Sequence, residues 1–291
     1  MDGKALAVLA AVISGFSIFV NKFAVGTGDP AMFTAAKNSL VAVALLAAIF
    51  LGKEKVRLGA KQWLNLALIG LVGGSVPFLL FFNGLSKADA ANAALIHKSL
   101  FVFAGIFSTL LLKERIEKKF FVSAAAIIAG NALLLGIAGA GFGEGEMMVL
   151  AATVLWGLEQ VLSKSALREI RPVQVAAGRM LFGAVFILAY LTATSGLKFS
   201  YSLEQLEWTG ITGAFLLAYV VVWYSALALE KVSTATALLS LGSVITTLLS
   251  AVFSGVAVTA AQSAGLLLLV ISAVALCWPA RELRTQSHSA H

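Results

Sequence analysis

A pair of basic residues lies inside an apolar run near the first third of the chain. His97 and Lys98 stand early in the run 90–112, and about 20 predominantly apolar residues are enough to cross a bilayer. A lysine near the centre of a membrane helix costs about 2.5–3.5 kcal/mol on insertion scales. We therefore expect Lys98 to face a polar interior and bind substrate there. The alternative is a structural role, in which Lys98 snorkels or pairs with a carboxylate.

Other charged side chains also fall inside apolar runs. Lys37 and Arg179 are cations, and Glu159 is the one carboxylate in the middle of a run. We expect Glu159 to pair with a basic group, by preference Lys98 or Lys37, or else to carry a coupled proton. Lys37 and Arg179 either contact substrate or act as structural anchors. The surplus of cations favours a substrate that bears a carboxylate.

Aromatic and amide side chains extend this candidate site. Tyr and Trp combine an apolar ring with a polar tip and therefore suit the wall of a wet cavity. Pro77, which follows Gly73-Gly74-Ser75, predicts a hinge or a broken helix. The predicted substrate site comprises His97, Lys98, Glu159, Trp156, Lys37, Arg179, Asn83, Tyr219 and Trp223.

The composition indicates which elements must position these residues. The chain is 60% hydrophobic and 12% charged, with a mean hydropathy of +0.95, whereas soluble domains carry about 25% charged residues. This predicts an all-α membrane protein. Ten transmembrane helices are expected, at 4–25, 30–51, 62–85, 90–112, 120–139, 145–165, 172–195, 207–229, 232–254 and 259–278.

The basic residues predict the orientation of these spans. The net charge of +7 does not indicate a nucleic-acid partner, because most Lys and Arg lie in short loops that set membrane topology. These loops fall on one side if both termini are cytoplasmic, in the plasma (inner) membrane. The basic residues concerned are Lys53, Lys55, Arg57, Lys61, Lys113, Arg115, Lys118, Lys119, Arg168, Arg171, Arg281 and Arg284.

The sequence also contains an internal repeat. A shift of 142 residues superimposes Gly15 on Gly157 and Lys22 on Lys164. Five spans in each half make the second half inverted, which is typical of alternating-access carriers. The predicted units are a first repeat 1–141, an inverted second repeat 142–280 and a disordered cytoplasmic tail 281–291. Further pairs are Pro30 with Pro172 and Lys37 with Arg179.

The whole chain resembles the ten-helix EamA-type branch of the drug/metabolite transporter superfamily. The resemblance lies in the two five-helix halves, the basic turns, Pro30 and Pro172 opening equivalent helices, and the run 110–116 (LLLKERI) closing the fourth. It implies a central cavity among helices one to four and six to nine, with helices five and ten peripheral. It also implies a secondary transporter, in many members an exporter of amino acids or other small metabolites. The second half lacks the Lys-Glu-Arg sequence, so Glu114 has no symmetric counterpart.

Other functional classes have less support in the sequence. No HExxH pattern or Gly-x-Ser-x-Gly elbow occurs, and His97 is the one histidine outside the tail, so we expect no metal, no cofactor and no catalytic site. A Ser–His enzyme, a passive channel and a lipid scramblase remain as alternatives. The expected partners are a small-molecule substrate and the lipid bilayer. The small residues Gly70 and Gly74 permit close helix packing, which leaves a monomer or a homodimer open.

Overall fold

The computed structural model describes residues 2–24, 29–52, 57–88, 90–136, 142–194, 202–255 and 257–278. Within these ranges the chain forms thirteen helices that make ten membrane-spanning segments. The predicted all-α fold with ten spans is confirmed. The helices are α1 (Gly3–Ala24), α2 (Pro30–Leu51), α3 (Ala60–Gly74), α4 (Val76–Leu85), α5 (Ala90–Lys98), α6 (Leu100–Leu112), α7 (Lys118–Leu135), α8 (Glu144–Ala166), α9 (Pro172–Thr194), α10 (Leu203–Leu229), α11 (Val232–Leu239), α12 (Gly242–Ser254) and α13 (Ala260–Cys277).

Local sequence signals set several helix ends. Asp29 caps α2 by accepting a hydrogen bond from the Met32 backbone N–H at 2.8 Å, and Pro30 follows at the first helical position, where its missing N–H has no helical partner to lose. Thr259 caps α13 in the same way through the Gln262 N–H at 3.2 Å. These caps hold the spans at defined lengths, so side chains along them have defined depths.

Three of the described spans are interrupted within their length. The third span breaks at Ser75, between α3 and α4, the fourth at Ser99, between α5 and α6, and the ninth at Ser240–Leu241, between α11 and α12. The predicted hinge near Pro77 is therefore a true break. The breaks of the fourth and ninth spans fall at equivalent positions of the repeat.

Packing follows the repeat residue by residue. A Cβ built on Gly15 of α1 would lie 2.7 Å from the Gly242 carbonyl oxygen and 2.9 Å from the Ile245 Cγ2 of α12. A Cβ on the equivalent Gly157 of α8 would lie 2.8 Å from the Phe103 Cβ of α6, and Phe103 is the repeat counterpart of Ile245. Each half therefore packs its first span closely on the fourth span of the other half.

The remaining contacts separate a centre from a periphery. The helices α2 and α9, which are the second spans of the two halves, pack against each other, and α9 also packs on α3. The helices α7 and α13 pack chiefly against each other, as expected of the fifth and tenth spans. Residues 137–141, at the predicted boundary between the repeats, lie outside the described residues, so the position of that boundary stays a prediction. The predicted tail 281–291 also lies outside the described residues.

Candidate substrate site

Glu159 lies at the centre of a buried polar cluster. Its side chain is only 1% exposed, and its two carboxylate oxygens accept three hydrogen bonds. The Ser163 hydroxyl and the Tyr224 hydroxyl donate to Oε1 at 2.6 and 2.9 Å, and the Gln160 amide donates to Oε2 at 2.7 Å. Because buried carboxylates need such partners, this arrangement holds Glu159 in one orientation.

Arg179 of α9 provides the charge partner of Glu159. Its Nε lies 3.7 Å from Glu159 Oε1, and its side chain is 13% exposed. The prediction that Lys98 or Lys37 would pair with Glu159 is wrong. Glu159 lies seven residues before the end of α8 and Arg179 seven residues after the start of α9, so the two side chains lie at equal depth in consecutive antiparallel spans.

The break in the third span supplies an acceptor to the same cluster. Pro77 has no N–H, so the Gly73 carbonyl four residues earlier loses its helical partner. That carbonyl accepts hydrogen bonds from Arg179 Nη2 and Trp156 Nε1, both at 3.0 Å. A Cβ on Gly73 would collide with the Glu159 side chain. The proline and the glycine together let α8 and α9 dock on the broken span.

An aromatic wall continues from Trp156 towards the fourth span. The ring centroids of Trp156 lie 4.9 Å from His97, 5.2 Å from Phe78 and 5.5 Å from Phe81. His97 Nδ1 is buried and has no hydrogen-bond partner among the described residues. The wall therefore ends in a polar atom that protein groups do not satisfy.

Lys98 follows His97 at the C-terminal end of α5, immediately before the break at Ser99. Its side chain is partly buried, and within the described part of the chain it makes neither a hydrogen bond nor an ion pair. The next helix, α6, begins at Leu100 with no side-chain cap. A cation and a helix N-terminus therefore meet where the fourth span is interrupted, and both favour an anion.

Two of the predicted aromatic residues join the cluster from α10. Trp223 Nε1 donates a hydrogen bond to Gln160 Oε1 at 3.1 Å, and Tyr219 stacks on Trp223 with ring centroids 6.1 Å apart. Trp223 is buried and Tyr219 is partly exposed. The helix α10 thus adds two aromatic side chains to the polar cluster.

The other two predicted residues lie apart from this cluster. Lys37 donates a hydrogen bond to Asn21 Oδ1 at 2.8 Å and lies over the Phe33 ring, 4.5 Å from its centroid. Asn83 is exposed and donates to the Leu79 carbonyl of its own helix at 2.8 Å. The structure therefore brings Glu159, Arg179, Trp156 and Trp223 together through hydrogen bonds or an ion pair, and His97 through ring contact.

The chain has ten apolar spans in two halves and a charged interior at interrupted helices. Nearly its whole length matches a known family. The model of the EamA-like transporter family matches residues 1–136 and again 143–278. The chain belongs to the EamA-like transporter family. It is an integral membrane protein, and each family match contains five of the ten spans in the described part of the chain. This supports the inverted two-repeat fold inferred from the shift of 142 residues.

Curated relatives of this EamA-like transporter carry the same general description. An uncharacterized transporter of Methanothermobacter thermautotrophicus is 27% identical over 183 residues, covering 59% of this chain and 53% of the relative. The uncharacterized transporter YyaM of Bacillus subtilis is 27% identical over 205 residues, covering 63% and 65%. The chain thus spans between about half and two thirds of the length of these relatives, so substrate and direction of transport are matters for proposal.

A solved structure shows the same fold in another protein. That crystal structure aligns with a TM-score of 0.79 and covers 93% of this chain and 97% of its own, at 22% sequence identity. At this identity the likeness concerns the fold alone. The assembly of ten spans described here therefore exists in an experimentally determined molecule.

Sequence reasoning missed several members of the polar cluster. Ser163 follows Glu159 by four residues, a spacing that places both on one helix face. Gly73 could have been found from Pro77, because a proline inside a helix frees the carbonyl four residues before it. Gln160 and Tyr224 are polar residues inside apolar runs, but their neighbours depend on how α8 and α10 rotate against each other.

Proposed function

We propose that this protein is a secondary transporter that exports small metabolites bearing a carboxylate, such as amino acids, by alternating access. The observation that carries the proposal is Lys98. Its ammonium group lies at the interruption of a membrane span and has no counterion among the described residues. A cation in that position is costly, and a substrate carboxylate would supply the missing counterion.

The charge balance of the interior supports an anionic ligand. Deep within the described spans there are three cations, Lys37, Lys98 and Arg179, and one carboxylate, that of Glu159. That carboxylate is already held by Arg179 and by three hydrogen bonds. It is therefore not available to neutralise Lys98, and an organic cation would add to the positive charge instead of relieving it.

The aromatic wall suits the remainder of such a substrate. The rings of Trp156, Phe81 and Phe78 can contact an apolar portion, and the unpartnered Nδ1 of His97 can bind a polar group. Adjacent helical residues project about 100° apart, so Lys98 and His97 would contact different parts of one ligand. An amino acid or a related carboxylate has both kinds of part.

Interrupted spans support a carrier mechanism. In inverted-repeat transporters, substrates bind near the membrane midplane at discontinuous helices, and one repeat rocks against the other. Here Lys98 lies at one of two interruptions that are equivalent in the two halves. Export is proposed from the resemblance to a family rich in exporters, and cytoplasmic termini in the plasma membrane from the basic loops. Cells that overproduce the protein should retain less substrate, and cysteines at Asp29 but not at Arg168 should react with an impermeant label from outside.

Counterflow in proteoliposomes tests the proposal. A panel of radiolabelled amino acids and organic acids should yield a substrate that shows saturation and counterflow, neither of which a passive channel gives. Lys98→Met keeps the length of the side chain and removes its charge. It should reduce transport by at least about tenfold, because a hydrogen bond to a charged group contributes about 1.5–3 kcal/mol. Lys98→Arg should retain part of the transport.

The matched control is Lys87→Met. Lys87 is exposed and pairs with Glu144 at 2.6 Å, so the same substitution there removes a charge outside the site and should leave transport intact. Normal transport by Lys98→Met, or a preference for quaternary ammonium compounds over carboxylates, would show that Lys98 has only a structural role.

A further inference from the structure

Two three-residue clusters occupy equivalent positions in the two halves. We call Ser17, Asn21 and Lys37 the first triad and Glu159, Ser163 and Arg179 the second triad, and each member of one lies 142 residues from its counterpart. The packing of Gly15 and Gly157, next to these clusters, follows the same shift in three dimensions. The triads are therefore structural equivalents, and the differences between their residues can be compared directly.

The second triad is complete and closed. Ser163 donates to the Glu159 carboxylate, and Arg179 lies 3.7 Å from it. Glu159 and Ser163 are 1% and 0% exposed. An anion and a cation thus meet within this triad, and the anion is part of the protein.

The first triad has the cation without the anion. Lys37 donates to Asn21 Oδ1 at 2.8 Å, and the Asn21 amide donates to the Ser17 carbonyl at 2.7 Å and to the Ser17 hydroxyl oxygen at 3.1 Å. Serine occupies the position where the second triad has Glu159. No ion pair joins Lys37 to a carboxylate in the described ranges, and the neighbouring residues 25–28 (VGTG) contain no acid.

The first triad is also the more open of the two. Ser17, Asn21 and Lys37 are all partly exposed, whereas the carboxylate and hydroxyl of the second triad are buried. An ammonium group has three donors, and Asn21 accepts one of those of Lys37. The Ser17 hydroxyl accepts from Asn21 and keeps its own hydrogen to donate. The first triad therefore presents two donors to an anion, the Lys37 ammonium group and the Ser17 hydroxyl.

We propose that the first triad is a second carboxylate-binding subsite, in which the carboxylate of a transported solute takes the place that Glu159 fills in the second triad. This proposal rests on the proposed transport of carboxylates. Lys37 provides the charge, Ser17 donates a hydrogen bond, and Asn21 fixes both. The subsite lies near the end of α1 and the start of α2, at the end of the bundle opposite the basic loops. Lys37 lies seven residues into α2 and Lys98 eight residues into α5, so the two cations lie at similar depths from that end.

A swap between the triads tests the subsite, with sodium acetate as the probe and sodium chloride of equal concentration as the reference. In detergent solution, 100 mM acetate should raise Tm by about 2–4 °C more than chloride does, which corresponds to a dissociation constant of about 20 mM and a site that is about four-fifths occupied. The measurement is made in the Lys98→Met background, so that the response reports the first triad. Adding Ser17→Glu should abolish the response, because the new carboxylate fills the subsite and pairs with Lys37.

Four further variants control for size and charge. Ser17→Ala adds no carboxylate and removes one hydrogen bond to the charged acetate, so the affinity for acetate should fall by about tenfold. Lys37→Met should abolish the response, and Lys37→Arg, which copies the second triad, should retain it. Glu159→Ser should open the second triad, so that acetate raises its Tm more than that of the parent protein.

The outcomes separate this proposal from the proposed function. A full acetate response in the variant carrying Lys98→Met and Ser17→Glu, or no response in Lys98→Met alone, overturns the subsite, while loss of transport in Lys98→Met still supports the proposed function. Normal carboxylate transport by Lys98→Met overturns the proposed function, whatever the triad variants do.

Discussion

The two five-helix halves are alike in how their helices pack, and they differ in the partners of their buried cations. Gly15 and Gly157 pack closely on equivalent residues of the opposite half. Lys37 and Arg179 are equivalent cations, yet Arg179 has a carboxylate partner and Lys37 has none among the described residues. Symmetry is thus kept in the backbone packing that holds the bundle together, and it is broken in the polar interior, where we propose that a solute binds.

The third and eighth spans differ for a reason visible in the sequence. The third is broken at Ser75 because Pro77 removes a backbone donor, whereas the eighth, α10, runs without a break from Leu203 to Leu229. The repeat counterpart of Pro77 is Tyr219, which keeps its N–H. As a result, the freed Gly73 carbonyl can bind Arg179 and Trp156. A single proline thereby frees a backbone carbonyl in the third span. The equivalent carbonyl of α10 stays within the hydrogen bonds of its own helix.

The largest expected effect concerns the two equivalent cations. Arg179→Met leaves the Glu159 carboxylate buried without its charge partner, and breaking a buried pair costs about 3–5 kcal/mol. Lys37→Met leaves no carboxylate unpaired and should cost less, at most about 1.5–3 kcal/mol for the loss of a hydrogen bond from a charged group. Unfolding by sodium dodecyl sulfate in mixed micelles measures both free energies.

A double variant sharpens this comparison. Removing both charges, in Arg179→Met with Glu159→Gln, should recover a large part of the loss, because the remaining side chains are neutral. If Arg179→Met and Lys37→Met destabilise the protein equally, the pair of Arg179 and Glu159 does not distinguish the two halves.

Much of this fold could be predicted because hydropathy and proline positions act locally. The ten spans and the break near Pro77 follow from residues close in sequence, and the repeat follows from comparing the two halves at a fixed shift of 142 residues. The partner of Glu159 did not, because it depends on which helix faces α8, and hydropathy does not fix helix rotation. Counting seven residues on each side of the α8–α9 connection would have placed Arg179 at the right depth. The exposure of Asn83 depends in the same way on the rotation of α4.

An intermediate effect should come from the glycines at which the halves agree. Gly15→Val and Gly157→Val each insert a branched side chain where even an added Cβ would lie within 3 Å of another helix. Overpacking of this kind costs about 1–3 kcal/mol. We expect the two losses to agree within about 1 kcal/mol, since both sites have backbone or Cβ atoms as neighbours. Gly210→Val, at a position with open space around it, is the control. A loss confined to one half would show that packing is not symmetric.

The smallest effect should appear at two equivalent helix starts outside the spans. Thr259 caps α13 through its hydroxyl, and Thr259→Ala should cost about 1 kcal/mol. Its counterpart Glu117 precedes α7 without a cap bond and lies 3.1 Å from Lys119. The hydrogen bond from Lys119 lowers the pKa of Glu117.

Because the folded pKa of Glu117 is the lower one, its contribution to stability is present above the unfolded value of about 4.3. It should be lost as the pH falls from there through the folded pKa. Since the carboxylate is 46% exposed, solvent screening keeps the contribution below about 1 kcal/mol. Unfolding free energies at pH 7 and near pH 3 should therefore converge for the wild type and Glu117→Gln at the acid end, while Thr259→Ala stays destabilised at both. An equal gap for Glu117→Gln at both pH values would show that its charge contributes nothing to holding α7.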